Sequence, residues 1–364
     1  MLTTRGTGAS RGPRGCRAPV VVMAGKMSEP APTIAGFRAA LMLTRVDQEA
    51  LTAGILILNW NGCELLREHL PSVVAAAEHS GIPIAVADNG STDGSVSFLA
   101  SDYPEISTIR LGENHGFSRG YNLAMRDVPW DLVIFLNNDM AVEKDFADHL
   151  LEPFRHDGSL LAVSAQILLY DSSARRDETG RTSVRFRRGE LWFAHFPVAS
   201  DGSIVPVFWL GGGSSAVSRS KFEELGGFEE LYSPFYFEDV DLSFRGWQRG
   251  WPTVLAPRSK VIHKHRASTS RLDPQYVETI FARNRLLFLW LNIRSRRLLL
   301  QHVARLAFLA VRRPSGSTLN YCALLGAVRC LPSIRRRRRR DLPAIVFRDT
   351  EILSFFSQDQ EWSA

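Results

Sequence analysis

Residues 54–62 read Gly-Ile-Leu-Ile-Leu-Asn-Trp-Asn-Gly, so a run of four apolar side chains ends directly at Asn59. A short apolar run of this kind is typical of a buried strand, and the amphipathic stretch after it predicts a helix. The predicted elements that follow are a helix at Gly62–Ala77, strands at Ile82–Ala87 and Ile106–Leu111, a helix at Phe117–Arg126 and a strand at Leu132–Leu136. Strands and helices in turn indicate an α/β fold with a mostly parallel sheet.

Polar residues follow several of these strands. Asn59, Asp88, Asn114 and Asp139 each stand just after a predicted strand. Ligands of open α/β sheets bind beyond the carboxyl ends of the strands. Their shared placement therefore predicts a ligand site at one edge of a Rossmann-like, nucleotide-binding half of the chain.

The glycine pattern argues against two common classes of nucleotide-binding protein. A dinucleotide-binding fold carries G-x-G-x-x-G after its first strand, whereas residues 59–64 read Asn-Trp-Asn-Gly-Cys-Glu. Gly211-Gly212-Gly213 is a glycine run, but no P-loop lysine accompanies it, and the chain has no Walker motif. A Rossmann dehydrogenase and an NTPase are therefore disfavoured.

An ordered series of motifs resembles the family 2 glycosyltransferases with the GT-A fold, in the branch that includes rhamnosyl- and galactofuranosyl-transferases. The matching segments are Leu58–Gly62, Asp88–Ser95, Asn114–Phe117, Phe135–Asp139, Gly226–Phe228, Glu238–Leu242 and His263 with Ser268-Thr269. The resemblance covers about 230 residues, from Gly54 to about Leu287. It implies a nucleotide-diphosphate sugar as donor.

The resemblance also implies which residues bind the donor: Asn59, Asp88, Asn114, Gly116, Asn137 and Asp139. Asp88 is placed so that its carboxylate accepts the N–H of a uracil or thymine ring. An Asx residue in such a turn also needs no ligand to explain it, and both interpretations remain open from the sequence.

A divalent cation, Mg²⁺ or Mn²⁺, is implied in the same way, because a metal ion stabilises a diphosphate leaving group. Asp139 occupies the last position of the family's Asp-x-Asp motif, while Asn137 stands at its first position. His263, 24 residues after Asp239, matches the place of a neutral imidazole ligand. The missing carboxylate leaves the metal dependence open. Without a metal, Asp139 is a turn or helix-cap residue and His263 a surface histidine.

The acceptor hydroxyl needs a base that removes its proton as the new bond forms. The resemblance points to Glu238-Asp239, with Asp239 as the base and Glu238 shaping the site, and a single displacement implies inversion. An acid in the first turn of a helix is also favoured by the helix dipole alone. Trp209, Gly212 and Gly213 are expected, from position only, to wall the acceptor cleft.

Charge is distributed unevenly along the chain. Residues 27–257 hold 18 basic and 31 acidic residues, whereas residues 258–340 hold 20 basic residues and two acidic ones. The basic segment predicts three helices, at Tyr276–Ile293, Leu298–Val311 and about 318–331. It favours a polyanion as partner, either nucleic acid or an anionic membrane surface.

The predicted helix Leu298–Val311 has an apolar stripe of Leu299, Val303, Leu306 and Ala310 between clusters of arginine. Such a helix either lies in a membrane interface or packs on the catalytic domain, and the sequence favours neither. Arg335–Arg340, six arginines in a row, are expected to be either a disordered solvated run or a polyanion contact.

The chain is expected to consist of four parts. These are a flexible or mis-assigned N-terminal extension at 1–50, a GT-A domain at 53–272, a helical and possibly membrane-associating region at 273–332 and a basic run with a tail at 333–364. The domain is expected to divide into a nucleotide-sugar-binding half, 53–150, and an acceptor and catalytic half, 151–272. Four scattered cysteines and no uninterrupted apolar run of about 20 residues favour a cytoplasmic protein, peripheral to the inner face of the cell membrane.

The sequence therefore predicts an inverting glycosyltransferase that moves a sugar from dTDP-rhamnose or a UDP-sugar to a glycan or lipid-linked acceptor in cell-surface polysaccharide synthesis. Two rivals stay open at this stage. One is a nucleic-acid-binding protein that acts through its basic C-terminal third, although no RNA-binding signature accompanies the arginines. The other is a catalytically silent GT-A scaffold, which Asn137 makes conceivable.

Overall fold

The structure, a computed structural model, describes residues 21–22, 51–171, 174–198, 201–263, 272–312 and 320–357. The expected N-terminal extension, apart from residues 21–22, and the motif residues Ser268 and Thr269 lie outside the described residues.

Between residues 53 and 156, helices and strands alternate as expected of an α/β fold. The strands are β1 (Val21–Val22), β2 (Ala53–Asn59), β3 (Ile84–Asp88), β4 (Ser107–Arg110), β5 (Leu132–Asn137), β6 (Met140–Val142), β7 (Ala162–Asp171), β8 (Ala174–Thr179), β9 (Arg181–Arg187), β10 (Glu190–Phe196), β11 (Val205–Pro206), β12 (Ser214–Ser218) and β13 (Thr253–His263). The helices are α1 (Cys63–Ser80), α2 (Ser95–Asp102), α3 (Gly116–Ala124), α4 (Phe146–His156), α5 (Arg219–Leu225), α6 (Glu238–Arg249), α7 (Pro274–Asn292), α8 (Arg296–Arg312), α9 (Tyr321–Arg329), α10 (Leu331–Asp341) and α11 (Asp349–Ser357). In the alternating stretch only β5 and β6 are in direct succession, and within the described residues strands β7–β12 then follow one another before the next helix.

The main sheet has the strand order β11-β13-β7-β12-β5-β2-β3-β4, with β6 paired to β13 and β8 to β7. Strands β5, β2, β3 and β4 are mutually parallel, and β12 inserts antiparallel between β5 and β7. The predicted parallel α/β half is therefore confirmed, and the predicted elements begin or end within a few residues of the observed ones. Its carboxyl ends place Asn59, Asp88 and Asn137 along one edge. Asn59 and Asp88 were predicted to lie at this edge.

Two apolar clusters cover the two faces of this sheet. One contains Ile55, Ile57 and Leu136 with helices α1 and α4, and the other contains Leu56, Phe135 and Tyr121 with helix α3. Alternate residues of β2 and β5 thus point into opposite layers, which is why their sequences are apolar throughout.

A separate apolar cluster joins the C-terminal helices to the catalytic half. It combines Phe208 and Tyr232 with Phe244 of α6, Phe288 of α7 and Phe356 of α11. Ser183 of β9 donates a hydrogen bond to the carbonyl oxygen of Phe356 at 2.7 Å. The helices after residue 273 therefore pack on the preceding residues, and the division expected at residue 332 falls inside α10.

The arginine run differs from the expected disordered segment. Arg335–Arg340 belong to helix α10, and Arg337 is buried with only 5% of its surface exposed. Arg338 is half-buried and donates to the carbonyl oxygens of Trp290 and Ile293, both at 2.6 Å. The prediction of a solvated run is wrong because these two side chains meet acceptors that lie far away in the sequence.

Helix α8 packs on the fold, as one of the two interpretations predicted, and it also exposes an apolar face. Its inner face packs against the fold through Leu299, His302 and Leu309. Its outer face exposes Leu300, Val303, Phe308 and Val311, by 71%, 61%, 42% and 83%. The predicted stripe is therefore split, since Leu299 packs inward and Val303 faces solvent. No helix within the described ranges is both long and apolar enough to cross a membrane.

Candidate active site

Asparagine side chains hydrogen-bond to each other in the turns that follow β2 and β5. Asn59 is fully buried, and its amide oxygen accepts from Asn138 Nδ2 at 2.7 Å. A Cβ atom on Gly62 would stand 2.2 Å from Asn138 Nδ2 and 2.5 Å from Asn59 Oδ1. Only glycine fits between these two amides, so the glycine of the Asn-Trp-Asn-Gly turn keeps strand and turn together.

The second turn is built around Asn89, which follows Asp88 at the end of β3. Asn89 Nδ2 donates to Asn114 Oδ1 and to the carbonyl oxygen of Gly116, both at 3.1 Å, while its Oδ1 accepts from the His115 N–H at 2.9 Å. Gly116 has a φ of 72°, in the left-handed region that favours glycine. Asp88, Asn114 and Gly116, all predicted donor-binding residues, thus meet in one loop cluster.

Asp88 has one carboxylate oxygen without a partner in the described part of the chain. Oδ2 accepts from the Ser91 N–H at 3.1 Å, whereas Oδ1 is buried and makes no hydrogen bond. The Asx turn therefore accounts for only one of its two oxygens. A buried carboxylate oxygen is costly without a donor, so Oδ1 is available to accept an N–H group from a ligand.

Asp139 and His263, the two predicted metal ligands, lie side by side. His263 Nε2 is 3.3 Å from Asp139 Oδ2, because β6 pairs with β13 and aligns Met140 with His263. Asp139 Oδ1 is buried and has no hydrogen-bond partner among the described residues. The described residues contain no group of three or more His, Cys, Asp and Glu side chains that could hold a metal ion. This oxygen–nitrogen pair fits one edge of a cation whose other ligands come from elsewhere.

The donor half and the catalytic half meet at Asn137 and Gly213. The Asn137 N–H donates to the carbonyl oxygen of Gly213 at 2.9 Å, which continues the β5–β12 ladder. A Cβ atom at position 213 would lie 2.1 Å from the Asn137 side chain. Only glycine fits at position 213, because the Asn137 side chain approaches so closely. A predicted donor-binding residue, Asn137, therefore contacts a predicted acceptor-binding residue, Gly213.

Asp239 occupies the start of helix α6, beside the same glycine turn. Its pKa is raised by burial, although hydrogen bonds from the N–H groups of Val240 and Gly212 oppose that shift. A Cβ atom on Gly212 would stand 3.4 Å from both Asp239 Oδ2 and Phe117 Cζ. The Asp239 carboxylate thus lies against the Gly212 backbone, and Phe117 of helix α3 approaches the same glycine.

Glu238 is buried next to Asp239. Burial raises its pKa, and the neighbouring charge of Asp239 raises it further. Its Oε2 atom is buried and has no hydrogen-bond partner in the described ranges. Two adjacent carboxyl groups with raised pKa values at the head of one helix favour proton exchange near neutral pH.

Asp241, the third acid of the same turn, has the opposite environment. It is fully buried and accepts from Tyr232 Oη, Arg245 Nε and Asn292 Nδ2, at 2.9, 2.7 and 2.8 Å. Arg337 Nη2 from α10 lies 2.8 Å from its Oδ1 atom. Burial alone would raise the pKa of Asp241, but Arg337 and Arg245 lower it to about 2. Asp241 is therefore a permanently charged anchor for α6.

Trp209 is largely buried, 9% exposed, and packs edge-to-face against Phe193 and His195. Its backbone N–H and carbonyl oxygen both pair with the Thr182 hydroxyl at 2.9 Å. It lies just before the Gly211–Gly213 turn, and most of its surface is used in packing.

No site role was predicted from the sequence for Asn89, Asn138, Asn284 and Arg337. Asn89 and Asn138 fall inside the quoted motifs, so their position at strand ends was a usable signal. Trp60, half exposed beside Asn59, also stands at this edge and was given no role. Arg283-Asn284 resembles a pair common after the catalytic region of the family, but the sequence predicted no role for it, and the partners of Asn284 lie about 50 residues away. Arg337 carried no local signal, because its partner lies about 100 residues away.

The chain is similar in sequence to known glycosyltransferases. The model of the family described as Glycosyl transferase family 2 matches residues 55–224. An N-acetylglucosaminyl-diphospho-decaprenol L-rhamnosyltransferase of Mycobacterium tuberculosis strain H37Rv is 30% identical over 231 residues, which are 57% of this chain and 74% of that protein. A Bacillus subtilis protein described as uncharacterized glycosyltransferase YfnE is 33% identical over 262 residues, 61% of this chain and 67% of that one.

A solved structure, GalNAc-T7 with UDP, GalNAc and Mn²⁺, aligns with a TM-score of 0.60 at 15% identity, over 87% of this chain and 57% of that one. At that identity the likeness is one of fold, and it confirms the predicted GT-A architecture.

Proposed function

Because this chain belongs to glycosyl transferase family 2, we propose that it transfers a sugar from a nucleotide-diphosphate sugar to a glycan or lipid-linked acceptor, with inversion at the anomeric carbon. The observation that carries this proposal is the position of Asp239. Its carboxylate lies against the Gly212 backbone, and Gly213 in turn contacts Asn137 at the end of the donor sheet. A base is thus placed where the two halves of the site meet.

In the proposed reaction, an acceptor oxygen attacks the anomeric carbon of the donor while Asp239 takes the proton from that oxygen. The bond between the anomeric carbon and the diphosphate oxygen breaks as the glycosidic bond forms, and the nucleoside diphosphate leaves with both bonding electrons. One displacement of this kind inverts the anomeric centre. The raised pKa of Asp239 suits it to accept a proton near neutral pH.

Glu238 shapes the site in this proposal. At neutral pH its raised pKa leaves a substantial fraction of its carboxyl groups neutral. A neutral neighbour does not repel the diphosphate of the donor, whereas two full charges would. Glu238 therefore limits the negative charge at the head of α6.

Donor binding is assigned to the edge formed by Asn59, Asp88, Asn114 and Gly116, with Asn137 beneath the transferred sugar. The free Oδ1 atom of Asp88 supports recognition of the N–H of a uracil or thymine ring. The packing of Asn114 and Gly116 around Asn89 supports a backbone surface that a nucleotide can approach closely.

Asp139 and His263 are the proposed cation ligands. Within the described residues, Asp139 offers a carboxylate oxygen without a partner beside the imidazole nitrogen of His263. Two protein ligands from this part of the chain suit Mn²⁺ or Mg²⁺ only if the donor diphosphate supplies further oxygens. When bound, such an ion would stabilise the charge of the leaving diphosphate. Because residue 137 is an asparagine and not an acid, Asp139 supplies the one carboxylate of the proposed cation site.

For the substrate, the mycobacterial relative, an N-acetylglucosaminyl-diphospho-decaprenol L-rhamnosyltransferase, supports rhamnose as the transferred sugar and a sugar–diphosphate–polyprenol as the acceptor. The proposed donor is dTDP-rhamnose or a UDP-sugar, and the proposed setting is cell-surface polysaccharide synthesis. Trp209, Gly212 and Gly213 are assigned to the acceptor side. Of these, Gly212 has the most direct support, because it contacts the proposed base.

A lipid-linked acceptor fits a peripheral place at the inner face of the cell membrane. The outer face of α8 exposes Leu300, Val303 and Val311, and the exposed Arg296 and Arg297 stand at its first turn. Helix α8 contains no acidic residue. This combination suits an anionic bilayer, which attracts the arginines and accepts the apolar side chains.

The proposal is tested by incubating the protein with UDP-, dTDP- and GDP-sugars, with and without Mn²⁺, and recording thermal stabilisation. The donor that stabilises it most is then combined with N-acetylglucosaminyl-diphospho-decaprenol, and release of the nucleoside diphosphate is measured. We expect stabilisation by one nucleotide class and product of inverted configuration. Stabilisation without any transfer would instead identify a silent scaffold.

A further inference from the structure

A short strap connects the packed residue Tyr232 to the first residue of helix α6. Within this strap, Tyr236 and Phe237 have φ angles of 73° and 80°. Side chains other than glycine rarely adopt this left-handed region, and a fold keeps them there only when surrounding contacts hold them. Phe237 also stands at the N-cap position of α6 without any side-chain capping bond. The start of the catalytic helix therefore needs support from outside the helix.

Asn284 of α7 supplies that support. The residue is fully buried, and its Nδ2 group donates to three strap carbonyl oxygens, those of Tyr232, Phe235 and Tyr236, at 2.7, 2.9 and 2.9 Å. One amide group thus contacts both ends of the strap. Because a carbonyl oxygen can only accept, a residue at this position must donate.

Asn284 is itself held by its neighbour. Its Oδ1 atom accepts from Arg283 Nε and Nη2 at 3.0 and 2.8 Å. Arg283 Nη2 also donates to the carbonyl oxygen of Ser233, another strap residue. This arrangement fixes the amide orientation, because Oδ1 faces the guanidinium and Nδ2 faces the carbonyl oxygens.

We propose that Asn284 is a positioning residue that sets the strap and thereby holds Asp239, at the head of α6, against the Gly212 turn. The inference rests on the proposed function, in which Asp239 is the base. Asp241, in the same first turn of α6, is fixed separately by Arg245 and Arg337. Arg245 and Arg337 hold helix α6 through Asp241, whereas Asn284 holds the segment that leads into the helix.

The test compares Asn284→Leu, which removes both donors at similar volume, with Asn284→Ser, which keeps one hydroxyl donor. Asn320→Ala serves as the matched control, because the Asn320 side chain caps α9 through the Ala323 N–H and donates to the Thr279 hydroxyl of α7, and neither partner belongs to the strap. Each variant is assayed for release of dTDP from dTDP-rhamnose, or of UDP from the UDP-sugar that stabilises the protein, and for donor affinity.

We expect kcat per folded molecule to fall on the order of 10²-fold in Asn284→Leu, because small displacements of a catalytic group have effects of that size. Asn284→Ser should recover part of the loss. Donor affinity should change less than about threefold in both variants, since the donor edge is built from other strands. Asn320→Ala should lose stability but keep its kcat.

The inference is overturned if Asn284→Leu keeps kcat within twofold of the parent, or if kcat and donor affinity fall in the same proportion, which would indicate general loosening. If Asn284→Leu does not fold, the same criteria apply to Asn284→Ser. Failure of the proposed function gives a different result, because Asp239→Asn, assayed in parallel, would then keep normal turnover.

Discussion

The donor edge and the C-terminal helices support one site by different kinds of contact. At the donor edge, Asn59, Asn89 and Asn138 bond to one another and to neighbouring turns, all within the first part of the chain. The C-terminal helices act across long sequence distances, with Asn284 reaching the strap and Arg337 reaching Asp241. In the proposed function, the first region presents groups to the substrate and the second holds the acids of α6. Substitutions in either region can therefore impair the site, and we expect their effects to differ.

The largest expected effect tests the head of α6, where both regions converge. Asp239→Asn keeps the shape of the side chain but removes its ability to take a proton. We expect turnover to fall by 10²-fold or more, as general-base catalysis typically contributes, while donor affinity stays nearly constant. The measurement is the rate of nucleoside diphosphate release alongside calorimetric donor binding. Near-normal turnover would show that another group is the base.

The second prediction tests Arg337, a residue that is expected to stabilise the fold without taking part in the reaction. Arg337→Met leaves Asp241 buried with one arginine fewer, so we expect a loss of about 3–5 kcal/mol in the free energy of unfolding. Arg336→Met, the adjacent exposed position in α10, should change it by less than about 0.5 kcal/mol. Urea denaturation measures both values. Equal effects of the two substitutions would contradict a structural role for Arg337.

The third prediction concerns the donor edge. Asp139→Ala and His263→Ala should each weaken Mn²⁺-dependent donor binding by at least about tenfold, because both side chains are proposed to touch the same ion. Lys260→Ala, on the same strand as His263, serves as the control. Donor binding is titrated with Mn²⁺ and with EDTA. If EDTA has no effect and both variants behave like the parent, cationic side chains stabilise the leaving group instead.

The fourth prediction is the pH dependence of turnover. A base acts in its ionised form, and burial raises the pKa of Asp239 to about 6, so the rate should fall about tenfold per pH unit below that value. The fold itself should withstand this range. The low pKa of Asp241 contributes stability that is complete above its ordinary value of 3.8 and is lost only as the pH falls toward 2. A flat profile down to pH 4.5 would contradict the assignment of Asp239.

The smallest expected effect tests the outer face of α8. Leu300→Ser should lower partition into anionic vesicles by less than about tenfold, since one partly buried apolar side chain contributes about 1 kcal/mol. The loss should persist in high salt, because salt does not screen it. Gln301→Ser, the neighbouring exposed residue, is the control. Flotation of the full chain with phosphatidylglycerol vesicles measures the effect, and no binding by the parent would reject the membrane proposal.

The donor edge could be predicted from the sequence because its residues follow strands directly. Once the apolar runs before Asn59, Asp88 and Asp139 predict parallel strands, their carboxyl ends must lie at one edge. Asp139 and His263 were also expected to be close, and their side chains do lie within 3.3 Å.

The arginine run could not be predicted in the same way. Six identical residues give no local reason why Arg337 is buried while Arg336 is exposed. That difference depends on the face that α10 turns toward Asp241, which is a property of packing across about a hundred residues. Asn284 is a similar case, since its three acceptors are backbone atoms that no side-chain pattern reveals.

The ion pair between Asp241 and Arg337 has a consequence for synthesis on the ribosome. Asp241 is translated about a hundred residues before its partner, which at roughly 5–20 residues per second corresponds to roughly 5–20 s. During that interval the acid has only Arg245 within its own helix as a charged neighbour. In the proposed function, the donor-edge residues from Asn59 to Asp139 are therefore all translated well before Arg337 can hold helix α6.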